Sequence, residues 1–177
     1  MLFRSVRSVH RSPDPANAVR EADAVAVGGG NTFHLVHSMY KHGLMAVVRD
    51  RVRAGVPFAG WSAGSNVACP TLRTTNDMPI IEPERFDALG FVPFQINPHY
   101  LDAHPDRHMG ETREERLLEF TVVNPDVWVI GLREGSALRL SWDDLSLLGP
   151  RDARIFRGTA VPREVEPGTP IDFLMDG

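Results

Sequence analysis

Gly60-Trp61-Ser62-Ala63-Gly64 sets a serine between two glycines at the spacing of a nucleophile elbow. A turn from strand into helix this tight leaves no room for neighbouring side chains. The hydroxyl is pushed out at its tip, where the dipole of the following helix favours developing negative charge. Such a serine performs acyl transfer, but only when a base takes its proton and a third group orients that base. The chain has seven histidines. His34, His37 and His42 lie in or beside a predicted helical hairpin and read as surface or packing residues, and His10 has no chemistry near it. His104 and His108 stand at i, i+4 with Asp102 and Asp106 interleaved, a spacing that suggests a metal, yet Pro105 disfavours the regular helix such a pair would need. We expect no metal there. His99, in Ile96-Asn97-Pro98-His99-Tyr100, directly follows a predicted strand and is the candidate base. Glu134, in Gly131-Leu132-Arg133-Glu134-Gly135, holds the matching place after a later strand and is the candidate orienting acid. Its alternative is a solvated loop carboxylate paired with Arg133. The order Ser–His–Glu differs from the Ser–acid–His order of α/β-hydrolases.

Acyl transfer also needs donors for the oxyanion. The amide of Ala63, next after the serine, is one candidate, and Gly28-Gly29-Gly30 offers bare amides, of which Gly30 is the expected second donor. A glycine-rich turn before a helix also suits phosphate. Gly-Gly-Gly-Asn matches neither the Walker pattern nor G-x-G-x-x-G, so nucleotide is the weaker reading.

The elements that must position these residues follow from the patterning. Residues 2–10 alternate loosely and predict a short strand. Pro13-Asp14-Pro15 leads into a helix over 16–22, and Ala24–Val27 is a short apolar strand stopped by the glycines. Asn31 or Thr32 caps a helix with Leu35 and Met39 on one face, and a second helix carries Leu44, Val48 and Val52 before Gly55 and Pro57. Phe58–Trp61 predicts the strand before Ser62, Phe91–Ile96 the strand before His99, and Val127–Leu132 the strand before Glu134. Glu111–Val123 reads as the clearest helix, with Leu117, Leu118, Thr121 and Val122 as its apolar stripe. Short β runs separated by turns follow Ala137. Alternating strands and helices predict an α/β fold, a mostly parallel sheet with helices on both faces and short C-terminal strands, in one domain over 1–177. Gly28–Gly30, Ser62, His99 and Glu134 all fall at the C-terminal ends of predicted strands, the edge where open α/β sheets bind ligands.

Composition narrows the partners. Nineteen basic and 23 acidic residues give a formal charge of -4, which supplies no general attraction to nucleic acid or to an anionic membrane. The lone Cys69 has no internal disulfide partner, and no signal-peptide pattern or 18-residue apolar run occurs, so a cytoplasmic protein is expected.

Six blocks in order resemble the peptidase E family, the α-aspartyl dipeptidases: Gly28–Phe33, Gly60–Asn66, Thr74–Ile80, Gln95–Tyr100, Gly110–Glu114 and Gly131–Gly135. The resemblance runs from near the start of the chain to its end. It implies a three-layer sandwich of the flavodoxin-like, class I glutamine amidotransferase-like kind, and a Ser-His-Glu triad on Ser62, His99 and Glu134. It further implies cleavage after an N-terminal aspartate in short peptides, without cofactor. Asp77 matches a family aspartate associated with activity, although an acid in a turn before Pro79 is also explained by turn chemistry. Such a substrate needs a cation for its side-chain carboxylate, for which Arg113 is the candidate, and an anion for its ammonium group, for which Asp77 or Glu111 is. Asn31, beside the glycines, is placed with these substrate contacts. Arg113 could equally close a helix-end ion pair with Glu114 or Glu111. Family members usually carry another strand–helix unit upstream, so a shortened member is expected, pairing as a homodimer across its open sheet edge. The alternatives are a related peptidase such as the cyanophycinases, which cleave β-aspartyl units, and a catalytically silent protein that binds aspartyl peptides or regulates a longer relative.

Overall fold

The structure is a computed structural model that describes residues 5–102, 110–142 and 144–176. Where a strand was predicted near the N-terminus, the described residues hold only a 3-10 turn, Val9–Arg11, with no buried residue. Val6 and Val9 stand exposed, so their alternation has no sheet to face. Helix α1 spans Pro15–Arg20, with Pro15 in its first turn, where a missing N–H costs nothing, and the Asp14 carboxylate accepting from Asn17 N at 2.9 Å. Strand β1 is Val25–Val27, helix α2 Thr32–Lys41, helix α3 Leu44–Arg53 and strand β2 Phe58–Gly60. α2 buries Thr32, Val36 and Met39, and α3 buries Met45 and Val48. Met39 and Val48 of the predicted faces are thus buried, and Leu35, Leu44 and Val52 are partly buried against the same core, with Val36 and Met45 joining them.

Helix α4, Ala63–Ala68, follows Ser62, and strand β3 is Gln95–Pro98. The predicted strand at 91–96 starts later because Phe91–Pro93 bends, and Pro93 has no N–H to donate to a ladder. Helix α5 is Arg113–Val123 rather than 111–123, since Thr112 stops it with a capping box: its hydroxyl accepts from Glu115 N at 3.2 Å while Glu115 accepts from Thr112 N at 2.6 Å. α5 buries Leu117 and Thr121, and leaves Val122 of the expected stripe exposed. Strand β4 is Val129–Leu132, and β5 to β8 are Ala137–Ser141, Asp144–Leu148, Ala153–Phe156 and Arg163–Val165.

β1 pairs parallel with β2, and β3 parallel with β4. The C-terminal strands add antiparallel pairings, β4 with β7, β7 with β8, and the hairpin β5–β6. Architecture is thus α/β, with parallel pairs carrying the predicted site residues and antiparallel strands extending the β4 side. Val36, Met39, Val48, Val67, Leu72 and Leu89 form a core under β1 and β2. Phe94, Ile96, Ile130, Leu147 and Ile155 form another about β3, β4 and β7, each fully buried side chain contributing about 1.5–3 kcal/mol by leaving water. α4 lies against β1, β2 and β3 and so joins the two parallel pairs. No helix among the described residues is long and apolar enough to cross a membrane.

Candidate active site

Ser62 adopts φ 56° and ψ -119°, a backbone conformation that costs a side-chain-bearing residue of order 1–3 kcal/mol and persists only where its surroundings enforce it. The enforcement is visible in two glycines. A Cβ on Gly60 would collide with the Gly64 carbonyl, and a Cβ on Gly64 with the Val27 carbonyl of β1. The serine therefore turns out of β2 because α4 is seated directly on the backbone of β1 and β2. Gly29 lies beside it, since a Cβ built there would sit 3.3 Å from Ser62 Oγ. Among the described residues the amides of Gly30 and Ala63 donate to no protein acceptor, which leaves both available to an oxyanion.

His99 has φ 55°, the second such residue, one position past β3. Its Nδ1 lies 2.7 Å from Glu134 Oε1. A carboxylate only accepts, so Nδ1 carries the proton and Nε2 of the neutral ring keeps its lone pair for a base's work. Glu134 side-chain exposure is 74% and that of His99 is 46%, so the pair is open to water. Among the described residues no hydrogen bond joins Ser62 to His99. Glu134 does not pair with Arg133, which turns instead to Asp102 and Glu164.

The other expected residues are placed as follows. Asp77 Oδ2 accepts from Thr32 N at 2.7 Å, Thr32 Oγ1 at 2.7 Å and Thr75 Oγ1 at 3.1 Å, so it holds the start of α2. Asn31 caps the same helix through His34 N at 3.1 Å and donates to the Met78 carbonyl at 2.8 Å. Arg113 is half-buried and donates to the Pro98 carbonyl at 3.3 Å, next to His99. Burial, and secondarily Arg116, pull its pKa down, and no carboxylate among the described residues pairs with it. Glu111 pairs with Arg116 at 2.6 Å and Glu114 with Arg154 at 3.1 Å, so neither expected helix-end pair with Arg113 forms. His104, His108 and Asp106 lie outside the described residues, and no group of metal-binding side chains occurs among those described.

Sequence reasoning missed a buried polar layer beneath this site. Asn66 on α4 donates to the Ile96 carbonyl at 2.9 Å, and Thr74 Oγ1 donates to the same oxygen at 3.1 Å. Asn97 Nδ2 donates to the Thr74 carbonyl at 2.9 Å and to Asn76 Oδ1 at 2.8 Å, and Asn76 donates to the Pro98 carbonyl at 2.7 Å. Residues 74–77 thereby tie α2, α4 and the end of β3 together. The available signal was Gln95 and Asn97, two polar residues within one short strand, both buried. Trp61 was also passed over; 57% exposed, its indole lies against Gly28, where a Cβ would come within 3.2 Å.

An α/β fold that turns a strained serine out of one parallel pair and sets a histidine against a carboxylate at the end of the other fits the class of serine peptidases. The family model of peptidase family S51 matches residues 2–148. The chain is 50% identical to the peptidase E of Shewanella amazonensis over 171 residues, 97% of this chain and 73% of that protein. It is 56% identical to the peptidase E of Streptomyces coelicolor over 172 residues, 97% of this chain and 70% of the relative. The chain belongs to peptidase family S51, the peptidase E family, and is by that membership a serine peptidase. Two solved structures share the fold. A putative peptidase E from Listeria monocytogenes superposes with a TM-score of 0.52 at 20% identity, covering 85% of this chain and 64% of that one. A peptidase from an acI-B1 actinobacterium gives 0.60 at 18% identity, covering 88% of this chain and 62% of that one. The chain thus spans less than two thirds of either solved neighbour.

Proposed function

We propose that this chain is a dipeptidase that hydrolyses short peptides beginning with aspartate, through a Ser62-His99-Glu134 triad and an acyl-enzyme intermediate. The observation that supports this most is the 2.7 Å contact between His99 Nδ1 and Glu134, two residues 35 apart, at the strand ends that also bear the strained Ser62. In this reading His99 Nε2 takes the Ser62 proton as Oγ attacks the carbonyl carbon of the N-terminal aspartyl residue. The amides of Gly30 and Ala63 meet the oxyanion. His99 returns the proton to the departing amine, and a water activated by the same nitrogen then cleaves the ester. Base and nucleophile close on each other as substrate binds, as catalytic hydrogen bonds commonly do.

Arg113 supplies the aspartyl specificity. A partly desolvated guanidinium without a carboxylate partner among the described residues gains more from a bidentate substrate carboxylate than a solvated one would. The substrate ammonium group goes to Asp77, through the Oδ1 that its helix-capping bonds leave over, or to Glu111. Asn31 shapes the same wall by holding the Met78 carbonyl. The whole chain, 1–177, acts as one peptidase domain, in the cytoplasm and without metal or cofactor. It forms a homodimer: among the described residues β1 pairs only with β2, which leaves an open edge for a second copy.

Purified protein with Asp-Leu, Ala-Leu and β-Asp-Leu tests the reading, with light scattering for the dimer. Asp-Leu alone should be cleaved, Ser62→Ala should lower kcat by several orders of magnitude, and Arg113→Ala should lose about 2–4 kcal/mol of transition-state binding on aspartyl substrates only. Cleavage of β-Asp-Leu instead would make the protein a β-aspartyl peptidase, and no cleavage by folded protein would leave a peptide-binding role.

A further inference from the structure

His99 and Glu134 are exposed, and His99 is held in a left-handed backbone conformation, so burial does not keep the pair in register. The residues beside them do. Arg133 immediately precedes Glu134, and its side chain is only 16% exposed. The guanidinium reaches Asp102, three residues past His99, through Nε at 3.1 Å and Nη2 at 2.7 Å. It also reaches Glu164 on β8 through Nη1 at 2.7 Å and Nη2 at 3.0 Å, and the Asp152 carbonyl through Nη1 at 2.8 Å. All five of its N–H donors can thus be used, in the planar fork that only arginine offers. Below it lies the ring of Tyr100, 5.3 Å from the guanidinium carbon and packed against Gly131, where any Cβ would strike the ring. Tyr100 N continues the β3–β4 pairing by donating to the Leu132 carbonyl at 3.1 Å. Two loops therefore meet twice through side chains: 99 with 134, and 102 with 133.

We propose that Arg133 is the positioning residue of the base–acid pair, closing on Asp102 and Glu164 together so that the loop after His99 and the loop bearing Glu134 share one rigid frame. This rests on reading His99 and Glu134 as base and orienting acid. An exposed ion pair is worth little to stability. Here it matters because displacing a catalytic group by about 1 Å can cost about a hundredfold in rate. Glu164 and the Asp152 carbonyl fix the arginine to the β7–β8 side, and Asp102 is the arm that carries that fixity to His99.

The test compares wild type, Arg133→Lys and Asp102→Asn on the best-cleaved dipeptide. Lysine keeps the charge and loses the fork, and asparagine loosens the arm on an exposed side chain. Both should lower kcat by about 10–100-fold with KM little changed. In a Glu134→Gln background, which already lacks the oriented pair, Arg133→Lys should cost less than about twofold. The downfield proton resonance of a histidine Nδ1–H bound to carboxylate should broaden in both variants while the thermal transition stays cooperative. Wild-type kcat in both variants, an equal loss with and without Glu134, or a raised KM at constant kcat would overturn the proposal. If Arg133→Lys does not fold, Asp102→Asn decides by the same criteria. Full activity in His99→Ala would instead remove the base assignment on which this rests.

Discussion

Ser62 and His99 both sit one or two residues beyond a parallel-paired strand, both at φ near +55°, yet they are held there by different means. On the serine side the constraint is backbone against backbone: α4 packs so close to β1 and β2 that Gly60 and Gly64 have no room for a Cβ. On the histidine side the strand end is fixed by side chains, Asn76 and Arg113 on the Pro98 carbonyl and Arg133 on Asp102. A nucleophile held by main-chain contact can change only if its whole unit shifts. A base held by separate side-chain contacts can be loosened one contact at a time. The contrast suits the proposed reaction, in which the hydroxyl stays put while the imidazole swings between serine and leaving group.

The comparison can be broken most severely at Gly64. A methyl there meets the Val27 carbonyl, so Gly64→Ala should lose about 2–4 kcal/mol of stability with most activity, read from denaturant midpoints and turnover. Wild-type stability and rate in that variant would show that backbone contact is not what forms the elbow. Next comes Asp77, which serves the serine side by capping α2 below the glycine loop. Asp77→Ala leaves Thr32 N and two hydroxyls without their acceptor and should cost about 1–3 kcal/mol, whereas Asp77→Asn, still an acceptor, should recover most of it. An unchanged melting temperature in the alanine variant would place the cap elsewhere.

Acid sharpens the histidine side. The hydrogen bonds of Arg133 hold the Asp102 carboxyl below its ordinary 3.8, against the opposing effect of burial, and hold Glu164 below its ordinary 4.5. Carboxyls depressed on folding stabilise the protein above those ordinary values, and that stabilisation is lost as pH falls through the depressed folded values. The gap in melting temperature between wild type and Asp102→Asn should therefore be widest near neutrality and narrow as pH falls below 3.8. A gap that persists undiminished would mean that the ion pair is not its source. The smallest effect expected is none at all. Cys69 is fully buried between α4 and β3, its thiol pushed up to about 12 by burial, so the native enzyme should neither react with thiol reagents nor lose activity to them. Rapid labelling would reveal opening between the two parallel pairs.

Much of the serine side was legible because its constraints are local: five residues carry the elbow, and three glycines end β1. The α/β class followed from the same short-range alternation. Element ends were less legible where one residue overrode a pattern, as Pro93 did for β3 and the Thr112 capping box did for α5. Of the strand predicted over 2–10, the described residues form none, because alternation records only that one face is apolar, and a sheet must exist to receive it.

The sequence by itself singled out Ser62, His99 and Glu134 as the candidate reacting side chains, and the strand ends that carry them, since residue type, glycine spacing and apolar runs act over a few positions. Tertiary structure alone decided that Glu134 faces His99 rather than Arg133, that Asp77 caps a helix 45 residues away, and that Arg133 binds two carboxylates each 31 residues distant. Any of the 23 acidic residues could have met any of the basic ones on charge alone. Which of them do is set by strand register and by helix packing, and these are properties of the folded chain.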